Sequence, residues 1–199
     1  MTHADPQTGA MRHFERLARA AEEVAERLGP EIATYADWAL TTLRAGGRLL
    51  FCGNGGSAAT AEHVATEYVV RFRRSRPPLP AIALTGSTGL LTAGANDFGF
   101  EQVFVRPLHA VGRSDDLLVL HSTSGASPNL LAVARAAAEI PIRTVALLGS
   151  GGGPLADLVD HSVQVPSDET ATIQELHLAI EHAVADFIDA WFAAEKGVS

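Results

Sequence analysis

From Arg48 onward the chain alternates short β-prone runs with helical stretches, and that alternation constrains its fold more than any other feature. The runs are Arg48–Cys52, Pro80–Thr85, Asp116–His121, Arg143–Leu148 and His161–Val165. Between them lie helical patterns at Ala58–Val70, Leu90–Ala95 with Glu101–Val111, Ser127–Glu139 and a short turn near Leu155–Leu158, and a long helix follows from about Thr170 to Ala194. A helix between two strands returns the chain to the edge it left, so consecutive strands point the same way and pair in parallel through right-handed crossovers. Such a sheet needs cover on both faces, which predicts a doubly wound α/β architecture over residues 47–195. Ahead of it, residues 10–46 read as a helical extension. Phe14, Leu17, Ala21, Val24 and Leu28 form one apolar stripe, and Ile32, Ala36, Ala39, Leu40 and Leu43 form another. Pro30 suits a first helical turn and Gly46-Gly47 a helix stop. With no strand beside them, these helices must pack on the domain that follows or on another copy of the chain.

Composition narrows the function classes. The 199 residues suit one domain, residues 1–199. Acidic residues outnumber basic ones 23 to 15, for a net charge of −8. That balance argues against unspecific binding to nucleic acid or an anionic membrane, both of which need basic surface. The single cysteine, Cys52, sits in an apolar run, reads as buried and has no internal disulfide partner. No apolar run reaches the roughly 18 residues of a membrane span. The opening MTHADPQTGA lacks the charged-then-apolar layout of a secretion signal, so a cytoplasmic protein is expected.

In doubly wound sheets, ligands bind beyond the carboxyl ends of the strands, and two loops of unusual chemistry fall there. Gly53-Asn54-Gly55-Gly56-Ser57-Ala58 joins the first run to a helix. Its glycines let backbone approach a ligand, and the helix start aims free N–H groups at it. The letters satisfy the dinucleotide pattern G-x-G-x-x-A, yet Thr85-Gly86 stand where an acid should hold a ribose. Ser122-Thr123-Ser124-Gly125-Ala126-Ser127-Pro128 follows the third run and opens the next helix. An ordinary N-cap needs one hydroxyl, whereas Ser122, Thr123, Ser124 and Ser127 provide four. Two anion cradles at one sheet edge favour a phosphorylated ligand, and without a Walker lysine or a ribose acid, a sugar phosphate more than a nucleotide.

Acid–base and metal candidates lie on two helices. His63 and Glu67 share a face four residues apart, and Gln174 and His182 lie on the last helix. Together they fit either a zinc site or the metal-free acid and base of an aldose–ketose isomerase. His177 and Glu181 repeat the four-residue spacing on that same helix. Spacing does not choose between the pairs. Arg71, Arg73, Arg74 and Arg76 crowd one segment, where they serve as phosphate or interface cations or, for most of them, form a solvated basic turn.

The stretches CGNGGSAATAEHVATE, RPPLPAIALT, LTAGANDFGFEQVF, STSGASPN and VPSDETATIQELHLAIEH together resemble the sugar isomerase (SIS) domain family, and within it the phosphoheptose isomerases, over about residues 10 to 195. The resemblance implies a five-stranded parallel sheet between helices and conversion of sedoheptulose 7-phosphate to a D-glycero-D-manno-heptose 7-phosphate. It also implies homotetramers with sites at subunit interfaces, and zinc. It places catalysis on Glu67 and His182, and metal ligation on His63, Glu67, Gln174 and His182. Phosphate contacts fall on Ser57, Ser122, Thr123, Ser124 and Ser127, with Asn54, Gly55 and Gly56 lining the site and Arg71, Asn96, Asp97 and Gln174 beside the substrate. On this reading His177 and Glu181 are the pair left over. Thr60, Ser87, Ala126 and Thr172 stand where the family usually or often has Asp, Asp, Asn and Arg. The competing reading within the family is a non-catalytic module: a sugar-phosphate-binding regulator, or a scaffold for a replication initiator.

Overall fold

Residues 5–195 are described by a computed structural model. Residues 1–4, part of the opening read as lacking a secretion signal, and residues 196–199 lie outside the described residues. The five expected runs all become strands: β1 (Leu49–Gly53), β2 (Ala81–Ala83), β3 (Leu117–Ser122), β4 (Arg143–Leu148) and β5 (His161–Gln164). All pairings are parallel, in the order β2-β1-β3-β4-β5. The winding therefore reverses between β1 and β3, which opens a crevice at their carboxyl ends. Both candidate loops leave the sheet at that point.

Among the described residues eight helices surround the sheet: α1 (Pro6–Arg27), α2 (Gly29–Arg44), α3 (Gly56–Val69), α4 (Thr88–Phe98), α5 (Val105–Val111), α6 (Pro128–Glu139), α7 (Gly153–Ala156) and α8 (Thr170–Glu195), with a 3₁₀ turn at Phe100–Gln102. Strand side chains alternate between two cores. Leu49, Phe51, Leu117, Val119, Val145 and Leu147 pack with α2, α3 and α8. Leu50, Cys52, Leu118, Leu120, Ala146 and Leu148 pack with α5 and α6. Cys52 is fully buried, as read from its apolar run.

Three departures from the sequence reading have local causes. Strand β2 keeps only Ala81–Ala83 at the sheet edge: Pro80, with no N–H, stands before it, and after it Gly86 N bonds back to Ala83 O in a turn. Helix α1 starts at Pro6, earlier than its apolar pattern, since the Asp5 carboxylate accepts from the Gln7 and Thr8 amides and Pro6 suits the first turn. Its stripe divides: Leu17, Val24 and Leu28 pack on the core, while Phe14 is 67% exposed. Polar ties anchor α1 instead, with Arg16 paired to Glu169 and His13 to Glu175 on the α8 side.

The arginine segment is also not a uniformly solvated turn. Arg76 is buried and pairs with the buried Asp189 of α8, which accepts in addition from the Arg73 and Arg74 amides at 2.7 and 2.8 Å. A buried carboxylate surrounded by donors stays ionised: burial alone would raise its pKa, but these donors bring it below the usual aspartate value.

Candidate active site

The crevice is built by close backbone approach. Gly55 turns the chain into α3 with φ of 56°, in the region that favours glycine. A Cβ on Gly56 would collide with the Gln174 carboxamide, so its absence lets α8 lie against the start of α3. Ser57, in that first turn, is buried. Asn54 does not reach freely into the crevice. It exchanges two amide hydrogen bonds with Asn129 at 2.8 and 2.9 Å, fastening the glycine loop to the start of α6.

The serine loop is held as a unit. Ser122 Oγ accepts from the Gly125 amide at 3.0 Å, and Ser124 Oγ from the Ala126 amide at 3.3 Å. Each hydroxyl thus keeps its own proton to donate to an anion. Ser127 caps α6 without committing its side chain, and Thr123 is half-buried. Gly125 has φ of 61° and lies so close to Gly152 that a side chain there would strike its carbonyl, which explains a glycine among the hydroxyls.

Two turns into α3, His63 and Glu67 meet His182 of α8. The His63 and His182 Nε2 atoms are 3.0 Å apart, and Glu67 Oε1 is 3.3 Å from His63. One donor atom from each lies within 4.8 Å of the others. Phe72 stacks on the His182 ring at 5.1 Å and sets its plane. Two imidazole nitrogens facing each other beside a carboxylate form the donor set zinc prefers, and three protein ligands leave a position open as catalytic zinc sites do. The residues fit that ion. Gln174 lies apart from the three, against Gly56 and roughly 10 Å back along the helix axis by helical rise.

The structure gives the rival pair a different place. His177 and Glu181 are 1% and 0% exposed. Glu181 accepts from Tyr35 at 2.8 Å and bonds His121 at 2.7 Å, while burial and the neighbouring His121 push the His177 imidazole down to about 3. Arg71 and the Asn96–Asp97 pair are exposed, and the two α4 residues bond each other at 2.7 Å. No hydrogen bond or ion pair joins these three to the cradle among the described residues. Of the departures, Thr172 is buried and donates to Glu169, and Ser87 caps α4. Sequence reasoning missed Asn129, His121 and Tyr35, since single polar residues in apolar surroundings carry no periodic signal.

Comparison with known proteins identifies the family and agrees with the fold. The SIS domain profile matches residues 12–149. The chain belongs to the SIS domain family. A phosphoheptose isomerase of Roseiflexus sp. (strain RS-1) is 48% identical over 82% of this SIS chain and 83% of its own, and one of Methylococcus capsulatus is 43% identical over 93% and 96%. The solved structure of a phosphoheptose isomerase from Francisella tularensis superposes with a TM-score of 0.90 at 39% identity, covering 94% of this chain and 99% of that one. At that coverage the match reaches into α8, beyond the family profile.

Proposed function

We infer that this SIS protein is an aldose–ketose isomerase that converts sedoheptulose 7-phosphate to a D-glycero-D-manno-heptose 7-phosphate. The observation that carries this reading is the convergence of His63, Glu67 and His182 two turns along α3 from the glycine loop at its start. Seven residues of α3 separate Gly56 from His63, roughly 10 Å. Six carbon–carbon bonds and a phosphoester, extended, span a similar distance. A seven-carbon chain whose phosphate sits among Ser57, Ser122, Thr123, Ser124 and Ser127 therefore brings its first carbons to the two histidines and Glu67. The homologues named phosphoheptose isomerase support the same activity.

Interconverting a 2-ketose and an aldose moves a proton from C1 to C2 through an enediol. Glu67 takes the C1 proton as the C1–C2 double bond forms. His182 supplies a proton to the C2 oxygen, and its contact with His63 provides a route to replenish it. Return of a proton to C2, with loss of the C1 hydroxyl proton, gives the aldehyde. In a zinc-loaded site His63, Glu67 and His182 would hold the ion, whose chemistry there is Lewis acidity toward the carbonyl oxygen, while Gln174 stays against the glycine loop.

The proposal extends to assembly: the 199 residues act as one SIS unit within a homotetramer whose sites lie at subunit interfaces. Exposed Leu90, Phe98 and Phe100 around α4, and Met11 and Phe14 on α1, supply apolar surface for other copies. Such contacts would bring Asn96, Asp97 and Arg71 of one copy toward another's crevice. A monomer by light scattering would overturn this part. A cytoplasmic site of action completes the reading, in keeping with a single buried cysteine and with no helix, among the described residues, long and apolar enough to cross a membrane. A non-catalytic scaffold is not favoured, because it has no use for the converged donors. Incubation with sedoheptulose 7-phosphate, with and without zinc, should yield the aldose, and in deuterated solvent the product should carry deuterium at C2. Absence of aldose under both conditions would sink the assignment.

A further inference from the structure

Beneath the site lies a polar network that the isomerase chemistry does not use. His121 is the residue before Ser122, the first member of the serine loop, and Glu181 is the residue before His182. Both are fully buried, and they bond each other at 2.7 Å. The second Glu181 oxygen accepts from Tyr35 of α2 at 2.8 Å. Phe51 of β1 stacks over the His121 ring. Burial and the nearby Glu181 hold the Tyr35 phenol protonated, so it is a donor at any ordinary pH. One carboxylate therefore ties the carboxyl end of β3 to both α8 and α2.

A carboxylate hydrogen-bonded in an apolar core is an inefficient way to gain stability, because desolvation offsets much of the attraction and well-packed apolar residues often do as well. The placement offers another reason for it. Strand side chains alternate, so His121 points to the α8 face while Ser122 points to the α6 face. The phosphate cradle and the acid–base helix are separate elements, and their relative register decides where C1 and C2 fall between Glu67 and His182. Reactions of this kind are sensitive to about 1 Å of misplacement, which can cost on the order of 10²-fold.

We propose that Glu181, through His121 and Tyr35, is a positioning residue that fixes the register between the phosphate cradle and the catalytic face of α8. The inference rests on the isomerase reading. Because the serine loop keeps its own internal hydrogen bonds, loss of the network leaves phosphate binding intact and degrades the chemical step.

The test uses the full chain and sedoheptulose 7-phosphate. The apolar triple variant Tyr35→Phe/His121→Leu/Glu181→Leu removes every partner together, so no buried group is stranded and thermal stability is expected at or above that of the parent. Its kcat should fall by roughly 10–100-fold while KM stays within about threefold. Glu181→Gln can still bond both His121 and Tyr35, because the phenol can accept as well as donate, and should restore kcat to within about threefold of the parent. A stable triple variant with parental kcat would reduce the network to a structural feature and overturn the proposal. So would a folded Glu181→Gln protein with kcat as low as the triple variant's, since charge and not hydrogen-bonded register would then carry the effect. Should the triple variant fail to fold, Tyr35→Phe, which removes one of the two Glu181 partners, takes its place: kcat should fall with KM unchanged, and parental kcat in the folded variant would overturn the proposal. An inactive parent would instead remove the isomerase reading itself.

Discussion

Two His–Glu pairs with the same four-residue spacing lie in this molecule, and they end in opposite environments. On α3, His63 and Glu67 reach the crevice, where the His63 side chain is 47% exposed and meets His182 of another helix. On α8, His177 and Glu181 turn inward and are almost wholly buried. The crevice pair gains its chemistry from a third residue brought across 119 positions of sequence. The inward pair divides: Glu181 is satisfied by His121 and Tyr35, and His177 keeps a neutral ring in the core with only the Leu148 backbone near enough to oppose that. Identical spacing on a helix thus states that two side chains share a face and says nothing about what that face meets.

The comparison can be broken by substituting one member of each pair. The largest effect is expected for Glu67→Gln, which should lower kcat by about 10²–10⁴-fold, the usual worth of a general base, while unfolding free energy stays within about 0.5 kcal/mol of the parent. Near-parental turnover would remove Glu67 from the chemistry. The mirror experiment is Glu181→Ala. Stranding His121 and Tyr35 in the core should cost roughly 3–5 kcal/mol in denaturant unfolding, and a loss below that range would mean water or repacking satisfies them.

Metal analysis sharpens the contrast further. Protein purified with zinc should carry about one ion per chain, His63→Ala should lose it, and His177→Leu should keep it. Zinc near zero in the parent, or lost equally in both variants, would contradict the assigned ligands. The smallest effect concerns pH. The His177 ring titrates near 3 when folded against an ordinary value of 6.5. Between those limits the unfolded chain takes up a proton that the folded chain refuses. Its contribution is therefore complete above pH 6.5 and is lost as pH falls toward 3, at up to about 1.4 kcal/mol per pH unit. His177→Leu should flatten the fall in stability measured between pH 6.5 and 4 relative to the parent, and an unchanged slope would show that the ring is not buried neutral.

Strand and helix order, the parallel sheet and the two cradle loops were legible in the chain because each rests on local rules: β-prone runs, helical periodicity, glycine at tight turns and hydroxyls at helix starts. From His63, Glu67, Gln174 and His182, spacing alone yielded a set of donors with a rival in His177 and Glu181, and only the family resemblance ranked them. Long-range packing decided the rest. The burial of Arg76 against Asp189 depends on α8 passing the segment after α3, and the Asn54–Asn129 clasp on two loops meeting at the switch point. The division of the α1 stripe depends on how that helix leans on α8. Local sequence determined which residues share a turn, a face or a strand end, since those relations are set by backbone geometry over a few residues. Which of two identical His–Glu faces meets water and which meets the core was decided by the tertiary structure, because burial comes from elements more than a hundred residues apart.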